Sequence, residues 1–365
     1  MGNTAGYRFN SRAERRRDMI EIRAVKHADE IEQLTALMAL VFKFKTSPER
    51  LTESWKWKYL RHPLSACLPE VVVALDGAKI VGARPFMLNE LWLGNEKVLS
   101  AQHCDTMVHP DYRRQGIFNR MGQFASSYLA DHGCTLSYGF PGPMSRKGFA
   151  SQGYRRMMDI EMLLRPVNPL AGISFKLKSK QSNNLAIGYQ TEVSGVYKGE
   201  LNVLDSFRKP DVIDMVRSEA NLRWRFDGCP HDKYRYILAN KAGSLAGYAV
   251  ISKQRQRGGI SAGLIIDFLV KDNNVACFEA LVTRAMQEFA RTSCQIVAIW
   301  AFTEAELQQT LSRKFHFSSS LKPPYNRFLA PGYMDVLLID KNVPVAKDIY
   351  NCNKWRVTYA YANFA

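Results

Sequence analysis

The feature that most constrains the fold of this chain is the stretch VHPDYRRQGIF, residues 108–118. Alternating residues before it predict a strand that ends at Pro110. The amphipathic run after it predicts a helix that ends at Gly133, because glycine often follows the last helical turn. A strand, a basic turn and a helix in direct succession indicate one unit of an α/β domain. The predicted apolar face of this helix comprises Ile117, Met121, Phe124 and Tyr128.

The turn between this strand and this helix has the chemistry of an anion site. The N–H groups at a helix start are free to bind an anion and carry the positive end of the helix dipole. Gly116 lets the backbone approach a ligand closely, while Arg113 and Arg114 add guanidinium groups that match phosphate oxygens. These residues indicate a pyrophosphate cradle. The alternative is an exposed basic turn that caps a surface helix.

Hydropathy patterns predict alternating strands and helices over residues 19–164. Residues 19–25 alternate like a strand, and residues 70–88 predict a β-hairpin around the turn Asp76-Gly77. The full predicted order is strand, helix, hairpin, strand, helix, strand, helix, strand. The apolar stripe of the first helix, which follows Asp29, comprises Ile31, Leu34, Leu37, Met38 and Val41.

Landmarks of the first half recur in the second half in the same order, at offsets between 162 and 167 residues. The pairs are Trp57 and Trp224, Gly82 and Gly247, Asp105 and Asp267, and Gly153 and His316. This recurrence predicts a duplicated fold. We therefore predict a domain at 19–164, a linker at 165–210 and a second domain at 211–342. A basic tail at 1–18 and a C-terminal tail at 343–365, expected to pack on the domains, complete this organisation.

Composition argues against several classes of protein. No apolar run reaches the ~18 residues of a membrane span, and the N-terminus lacks the apolar core of a signal peptide. We therefore expect a cytoplasmic protein. The seven cysteines are widely spaced without a C-x-x-C motif, which argues against a disulfide framework or a zinc site. We also predict no other metal.

The net charge of +16 favours an anionic partner. The basic residues are spread along the chain, with one dense cluster, RAERRR at 12–17. The sequence has no helix-turn-helix, zinc-finger or RNP signature, which argues against a nucleic-acid partner. A polyphosphate ligand accounts for the charge.

The segment 108–118 resembles the acyl-CoA-binding motif of the GCN5-related N-acetyltransferase (GNAT) superfamily. That motif reads Gln/Arg-x-x-Gly-x-Gly/Ala and follows a strand ending in Val-x-Pro. The Val-x-Pro end, Arg113 and Gly116 match it, and Phe118 stands at its last position. The predicted element order of the first domain also matches the GNAT fold.

The second half resembles a GNAT repeat that lacks this motif. At the corresponding place it has LVKDNNVACFE, residues 269–279, without Gly or Arg. The resemblance therefore implies an α/β fold with mixed sheets, built from two tandem GNAT-like domains. The second of these is degenerate in its CoA motif.

The resemblance implies an N-acetyltransferase that carries an acyl group from acetyl-CoA to a primary amine of a small molecule, an amino sugar or a peptide. Its partners would be the acyl-CoA and the amine. Backbone groups of Met107 and Val108 would contact the pantetheine, and a backbone N–H there would polarise the thioester carbonyl. The pyrophosphate would lie on Arg113, Arg114, Gln115, Gly116, Ile117, Phe118 and Asn119.

Acyl transfer also needs a base for the incoming ammonium. His103 and Asp105 are the candidate bases, and the period of a strand predicts that they share one face. Each has a structural alternative. Asp105 could pair with a lysine, and His103 could be a core residue.

Candidate acids for the leaving thiolate are less obvious, since Phe149 and Gly142 stand where the family often has a Tyr and an Asn. The candidates are Tyr138, Ser145 and Tyr154. Two other functions stay open. One is a non-catalytic acyl-CoA-binding scaffold. The other is a Fem-like aminoacyl-tRNA-dependent transferase, which would share the doubled fold and use the basic surface.

Two aromatic segments invite an interpretation. Trp55, Trp57 and Tyr59 either wall a substrate or pack beneath the first helix, and packing is favoured because the second half keeps Trp224 and Phe226. The C-terminal segment KWRVTYAYANFA is expected to pack across both domains, near the acceptor.

Overall fold

The computed structural model describes residues 20–43, 46–65, 70–167, 188–255, 259–323, 325, 332–343 and 347–362. Within these ranges the chain forms two mixed β-sheets with helices packed against them. None of the described helices is long and apolar enough to cross a membrane. The predicted basic tail with its RAERRR cluster, Cys67 and residues 168–187 of the predicted linker lie outside the described residues.

The first half forms a sheet covered by helices on both faces. Its strands are β1 (Ile20–Ala24), β2 (Val71–Asp76), β3 (Lys79–Leu93), β4 (Glu96–His103), β5 (Met107–Val108), β6 (Leu136–Gly139) and β7 (Arg155–Ile160). Its helices are α1 (Glu30–Phe42), α2 (Pro48–Tyr59), α3 (Ile117–Asp131) and α4 (Arg146–Ser151). The strand β2 is apolar from Val71 to Leu75 because it is buried on both sides. Val71 and Val73 face α1 and α2, whereas Val72 and Ala74 face α3.

The second half forms a sheet of strand order β15-β8-β14-β13-β12-β11-β9. Its strands are β8 (Met162–Pro166), β9 (Gln190–Ser194), β11 (Tyr234–Lys241), β12 (Ser244–Arg255), β13 (Ser261–Val270), β14 (Ile296–Trp300) and β15 (Ser318–Ser319). Its helices are α5 (Glu219–Leu222), α6 (Val275–Ala290) and α7 (Ala305–Arg313). Short 3-10 or π segments lie at Pro110–Tyr112, Gly199–Phe207, Arg223–Asp227, Lys271–Asn273, Asp348–Tyr350, Cys352–Lys354 and Tyr359–Tyr361.

Two strands cross between the halves and pair there on both edges, and a third strand of two residues pairs across on one edge. The strand β16 (Gly332–Leu338) lies between β6 and β7 in the first sheet, whose main order is β1-β2-β3-β4-β6-β16-β7. The strand β8 lies between β14 and β15 of the second sheet, and the short β10 (Asp214–Met215) pairs with β3. The domain boundaries predicted at residues 164 and 342 therefore do not follow the sheets. Each crossing strand is held there because ladder hydrogen bonds satisfy its backbone on both edges.

The predicted linker, 165–210, is also partly structured. The strand β9 pairs with β11 in the second sheet. The 3-10 segment that follows buries Leu201 and Leu204 completely in the core of that half. Residues 188–210 are therefore part of the second unit, because their apolar side chains are needed to fill its core.

The predicted duplication appears as a pseudo-symmetric contact between the halves. The indole N–H of Trp57 donates to the carbonyl of Trp224 (3.0 Å), and that of Trp224 donates to the carbonyl of Trp57 (2.9 Å). Their rings stack with centroids 5.2 Å apart. The hairpin strands also correspond, since Gly82 lies opposite Val108 in the first half and Gly247 opposite Val270 in the second. The fold class predicted from the sequence is confirmed.

The predicted face of α3 is only partly right. Ile117 and Met121 are buried, but Phe124 is 37% exposed and stacks with Tyr128 at the edge of the helix. The buried stripe continues through Ala125 and Leu129 instead. Small side chains let the helix approach the sheet closely, whereas the phenyl ring of Phe124 extends into solvent.

The C-terminal segment lies between the two halves. Trp355 pairs with Ile213 in an isolated bridge and is buried. The ring of Tyr361 meets that of Tyr138 at 6.0 Å in the first half, and the ring of Tyr359 meets that of Trp300 at 4.9 Å in the second. The segment therefore forms part of the common core.

Candidate active site

The turn before α3 forms a concave backbone. A 3-10 turn at 110–112 is followed by two residues with positive φ, Arg114 at 62° and Gly116 at 77°. Gly116 is the N-cap of α3, and the first intrahelical bond runs from the N–H of Arg120 to its carbonyl. The N–H groups of residues 117–119 therefore precede the helical ladder. This arrangement can bind an anion.

The basic side chains of the turn are available to a ligand. Arg113 and Arg114 are exposed, and no carboxylate within the described ranges forms an ion pair with either. Arg113 Nε donates to the carbonyl of Val108 (3.2 Å), and Gln115 Nε2 donates to that of Asp111 (3.2 Å), so both side chains brace the turn. The guanidinium ends remain free for phosphate oxygens. The cradle therefore fits a diphosphate.

Phe118, at the last motif position, points away from the cradle. Its ring occupies the space where a Cβ on Gly148 would lie, and it meets the Phe149 ring edge-on at 5.2 Å. The neighbouring Asn119 accepts from Gln152 Nε2 at 3.4 Å. A ring contact and a hydrogen bond thus connect the first turn of α3 with α4 and the residue that follows it. A bulky residue is tolerated at position 118 because Gly148 leaves room for it.

A gap opens in the sheet next to this cradle. The strand β4 pairs with β6 as far as Gln102 and Tyr138. The chain then leaves the ladder at residues 104–106, where Asp105 has a φ of 45°. The next strand, β5, pairs with Gly82 and Ala83 of β3. Its other edge therefore faces a gap towards β6, which could admit an extended chain such as pantetheine.

The gap leads into a cavity of about 670 Å³. The segment 102–106 lines one side of it, and residues of the loop after β6 and of α4 line another. Trp300, Tyr333 and Ala362 come from the second half and the C-terminal segment. The cavity is thus built by both halves together, and the crossing strand β16 brings Tyr333 to it.

Asp105 is held in this cavity by two residues of α2. Lys58 Nζ (2.5 Å) and Tyr59 OH (2.6 Å) both donate to its Oδ2. Among the described residues none donates to Oδ1. Burial, and then the Asp105 carboxylate, raise the pKa of Tyr59 well above its usual range, so Tyr59 stays a donor. The carboxylate can therefore present one oxygen to a ligand.

His103 lies on the opposite face of the sheet from the Asp105 contacts. Its ring stacks on Phe149 at 4.0 Å and meets Tyr154 edge-on at 5.0 Å. The prediction that His103 and Asp105 share a face is wrong, because the left-handed residue at 105 breaks the alternation of the strand. Burial, and then the nearby Arg84, lower the pKa of His103 well below its usual range. His103 is therefore neutral, and its Nε2 is buried without a partner among the described residues.

The three candidate acids are placed differently. Ser145 lines the cavity and donates to the carbonyl of Gly142 at 3.1 Å. Tyr138 lies in the core between the halves and is not among the lining residues. Tyr154 is also buried, donates to Ser137 Oγ at 2.8 Å and accepts from Arg84 at 3.0 Å. Of these three, Ser145 is the one the structure brings to the cavity.

Sequence reasoning missed the role of α2. Trp55, Trp57 and Tyr59 are buried in the core, as the packing interpretation predicts, but Lys58 was not considered. A signal for the helix was present, since Ser47 caps it by accepting from the N–H of Arg50 and a proline follows as the first helical residue. The distance in sequence between α2 and Asp105 hid the contact.

Arg84 is the second residue that the sequence did not reveal. It is 1% exposed on β3 and pairs with no carboxylate within the described ranges. Its guanidinium donates to Gln152 Oε1 (2.5 Å) and to Tyr154 OH, and it lies 4.9 Å from the centre of the Phe149 ring. This buried cation keeps His103 unprotonated beside the cavity.

The second half lacks a comparable cradle. The first helical N–H groups of α6 are capped by the protein itself, because Asn274 Oδ1 accepts from the N–H of Cys277 at 2.9 Å. The same oxygen accepts from Tyr189 OH at 3.0 Å. A side chain therefore occupies the place that an anion would take at the start of α3.

Asp267, the counterpart of Asp105, is enclosed in a buried charge network. It accepts from Arg217 at 2.8 and 3.0 Å and from Thr358 Oγ1 at 2.9 Å. Arg217 also donates to Asp214 (2.8 Å). Burial opposes the charge on Arg217, but Asp214 and Asp267 outweigh it and raise the pKa of Arg217 well above its usual range. The C-terminal segment thus seals this position.

We expect Arg217→Met to destabilise the protein strongly. The change removes the cation that donates hydrogen bonds to both Asp214 and Asp267 and leaves only Arg356, which lies 3.8 and 3.9 Å from them, so the loss is about 3–5 kcal/mol in the free energy of unfolding. Denaturant unfolding measures the loss. Arg223→Met is the matched control, because that arginine pairs with Glu219 on the surface and the loss of an exposed ion pair changes the free energy of unfolding little. Equal stability of the two variants would contradict the prediction.

The geometry described above defines a class of protein. Residues 21–157 match the family model of the acetyltransferase (GNAT) domain. This region contains the cradle, the gap and Asp105. The first half of the chain is therefore similar to a GNAT acetyltransferase domain, and it lies within a doubled α/β fold. A comparison with curated protein sequences found no significant match.

Solved structures show the same doubled fold. A GCN5-related N-acetyltransferase from Anabaena variabilis is 14% identical, covers 88% of this chain and 73% of its own, and has a TM-score of 0.63. A tandem GNAT protein of the clavulanic acid biosynthesis pathway is 15% identical over 89% of this chain and all of its own, with a TM-score of 0.55. Eis1 from Mycobacterium abscessus is 12% identical, covers 88% of this chain and 74% of its own, and has a TM-score of 0.55. The protein thus has a tandem GNAT fold.

Proposed function

We propose that this protein is an acetyl-CoA-dependent N-acetyltransferase that acylates a primary amine. The observation that carries the proposal is the cradle at the start of α3, which lies directly beside the gap between β5 and β6. A pyrophosphate on the N–H groups of residues 114–119 would direct a pantetheine arm past Met107 and Val108 into the cavity. The match of this region to the GNAT domain supports the same use.

The cavity supplies the groups that proton transfer requires. Asp105 would accept the proton of the ammonium, so that the amine nitrogen can attack the acyl carbon while the C–S bond breaks. The leaving thiolate would take the second proton that the nitrogen loses as the amide forms, and Ser145, whose hydroxyl lines the same cavity, would stabilise the thiolate by donating a hydrogen bond. Holding both reactants next to each other in one cavity would further increase the rate of acyl transfer.

The setting is proposed to be cytoplasmic. The described cysteines are unpaired, and most of them are buried. Free thiols are usual where the surroundings are reducing. The second half would shape the acceptor side of the cavity, since Trp300 and Ala362 line it.

Acetyl-CoA should raise the thermal stability of the protein. A ligand that binds only the folded state at 100 times its dissociation constant adds about 2.7 kcal/mol to the free energy of unfolding. Thermal unfolding with and without acetyl-CoA measures this, and release of free thiol in the presence of an amine panel measures turnover. A shift without turnover on any amine would favour the scaffold. No shift, together with salt-sensitive tRNA binding, would favour the Fem-like transferase.

A further inference from the structure

The size of the cavity beside β5 bears on what it holds. Its volume of about 670 Å³ lies within the range of small-molecule pockets. The acetyl group and the end of the pantetheine arm would fill only part of it. The rest of the space would accommodate the acceptor, so its lining indicates the chemical class of that molecule.

The walls of the cavity are largely apolar. The apolar lining includes Phe42, Phe140, Pro143, Phe149, Ile160 and Trp300. The rings of Phe140 and Trp300 face each other at 5.4 Å, so the two halves form one aromatic wall. Such a wall favours an apolar body, and it gives few hydrogen bonds to the hydroxyl groups of a sugar.

Most of the polar side chains that line the cavity lie on the segment 102–106, and Ser145 and Tyr333 add two hydroxyl groups from other segments. His103, Asp105 and Thr106 all line it. His103 Nε2 and Thr106 Oγ1 are buried and have no hydrogen-bond partner among the described residues. The ring of His103 packs against Gly139 on the other face of the sheet, so it is not placed to share a ligand with Asp105. Asp105 Oδ1 and Thr106 Oγ1 are the acceptors that this segment offers to the N–H donors of an ammonium group.

The charge of the described lining is negative. Among the described lining residues, Asp105 is the only one with a charged side chain. Two arginines reach lining residues but are not themselves part of the lining. Arg225 donates to the carbonyl of Ala362, and Arg146 stacks over the Tyr333 ring at 4.6 Å. Lys58 is bound to Asp105. A carboxylate or phosphate on the acceptor would therefore be buried without a counter-ion.

From these observations we infer that the acceptor is a cationic amine on an apolar aromatic or alkyl body that bears no acidic group. This rests on the proposed acyltransferase function and narrows its substrate class. The ammonium would bind at the segment 103–106, with the apolar body against Phe140 and Trp300. Amino acids, acidic peptides and amino sugars would be poor acceptors, because their carboxylate or hydroxyl groups would lose water without compensation.

The test is direct binding to the full chain, measured by calorimetry with phenethylamine, phenylalanine and glucosamine as probes. Phenethylamine and phenylalanine differ only by the carboxylate. Phenethylamine should bind at least about 100-fold more tightly than phenylalanine, since a buried unpaired carboxylate is very costly. Glucosamine should bind as weakly as phenylalanine.

A cation placed at the cavity should reverse part of this preference. Phe42 lines the cavity at the end of α1 and is 39% exposed, so Phe42→Lys can be accommodated. The added lysine should lower the affinity for phenethylamine and raise the affinity for phenylalanine. Each change should be roughly threefold to tenfold, as expected for one partly screened charge. Leu40→Lys is the matched control, because Leu40 is 47% exposed on the same helix and does not line the cavity.

The outcomes separate this inference from the proposed function. Tighter binding of phenylalanine or glucosamine than of phenethylamine, or equal effects of the two lysine variants, overturns the inference even if acetyl-CoA is used. Absence of phenethylamine binding also overturns it, and a rate that rises with acyl length from acetyl- to octanoyl-CoA would then assign the cavity to the acyl chain. Phenethylamine that binds selectively but is never acetylated supports the inferred class of ligand for the cavity and contradicts the proposed function.

Discussion

Gly116→Asp lowers the affinity for acetyl-CoA by more than about 100-fold, because like-charge juxtaposition at a binding site costs several kcal/mol. Gly116 is the N-cap of α3 with a φ of 77°. A carboxylate at this position would accept from the N–H groups at the start of α3, as helix-capping residues do. It would fill the cradle and repel the pyrophosphate. Isothermal titration with acetyl-CoA and with CoA measures the loss.

A second glycine of the same helix provides the control. Gly133 follows the C-terminal end of α3 with a φ of 74°, and nothing lies within 4 Å of the place where its Cβ would be. Gly133→Asp therefore carries the same backbone strain, about 1–2 kcal/mol, far from the cradle. Both variants should lose a similar amount of stability, and only Gly116→Asp should lose affinity for acetyl-CoA. Unchanged affinity of Gly116→Asp for acetyl-CoA would disprove the proposal that the cradle binds the pyrophosphate.

Asp105→Asn should lower kcat by at least about 100-fold while the dissociation constant of acetyl-CoA stays unchanged. General-base catalysis contributes about 100-fold to 10,000-fold to a rate. Asparagine has nearly the same shape and keeps an acceptor oxygen for Lys58 and Tyr59. The fold should survive with lower stability, because the buried Lys58 loses its counter-ion, and the side chain can no longer take a proton. Steady-state thiol release with a competent amine, beside acetyl-CoA titration, separates turnover from binding.

The control for this prediction is Asp29→Asn. Asp29 is exposed before α1, and its side chain makes no capping hydrogen bond. Its replacement should change neither kcat, nor the dissociation constant of acetyl-CoA, nor the free energy of unfolding. If Asp105→Asn turns over at the normal rate, Asp105 is not the base, and the amine must enter the cavity already neutral.

The local elements of the site could be predicted from the sequence to a large extent. The strand end at Pro110, the turn through Arg113 and Gly116 and the helix that ends before Gly133 are all determined by neighbours in the chain. The hairpin turn at Asp76-Gly77 is of the same kind, with Asp76 opposite Lys79 and Gly77 at a φ of 60°. Turn residues and hydrophobic periods act over a few residues, so a single sequence contains enough information for them.

The surroundings of the catalytic candidates could not be predicted in this way. The period of a strand placed His103 and Asp105 on one face, but a positive φ at a non-glycine residue leaves no periodic signal. Lys58 holds Asp105 from 47 residues away in sequence. Tyr138 is a candidate acid because it lies near the missing acid positions in the sequence, but the packing of Tyr361 against it places it in the core.

The sequence by itself determined the class of fold, its duplication and the loss of the CoA motif in the second half. These properties follow from local patterns and their recurrence along the chain. The tertiary structure alone decided that β8 and β16 cross between the sheets and that the C-terminal segment seals the Asp267 position. It also decided that one cavity is lined by both halves. Such contacts join residues that are far apart in the chain, and their free energy depends on burial and shape, which a one-dimensional pattern does not encode.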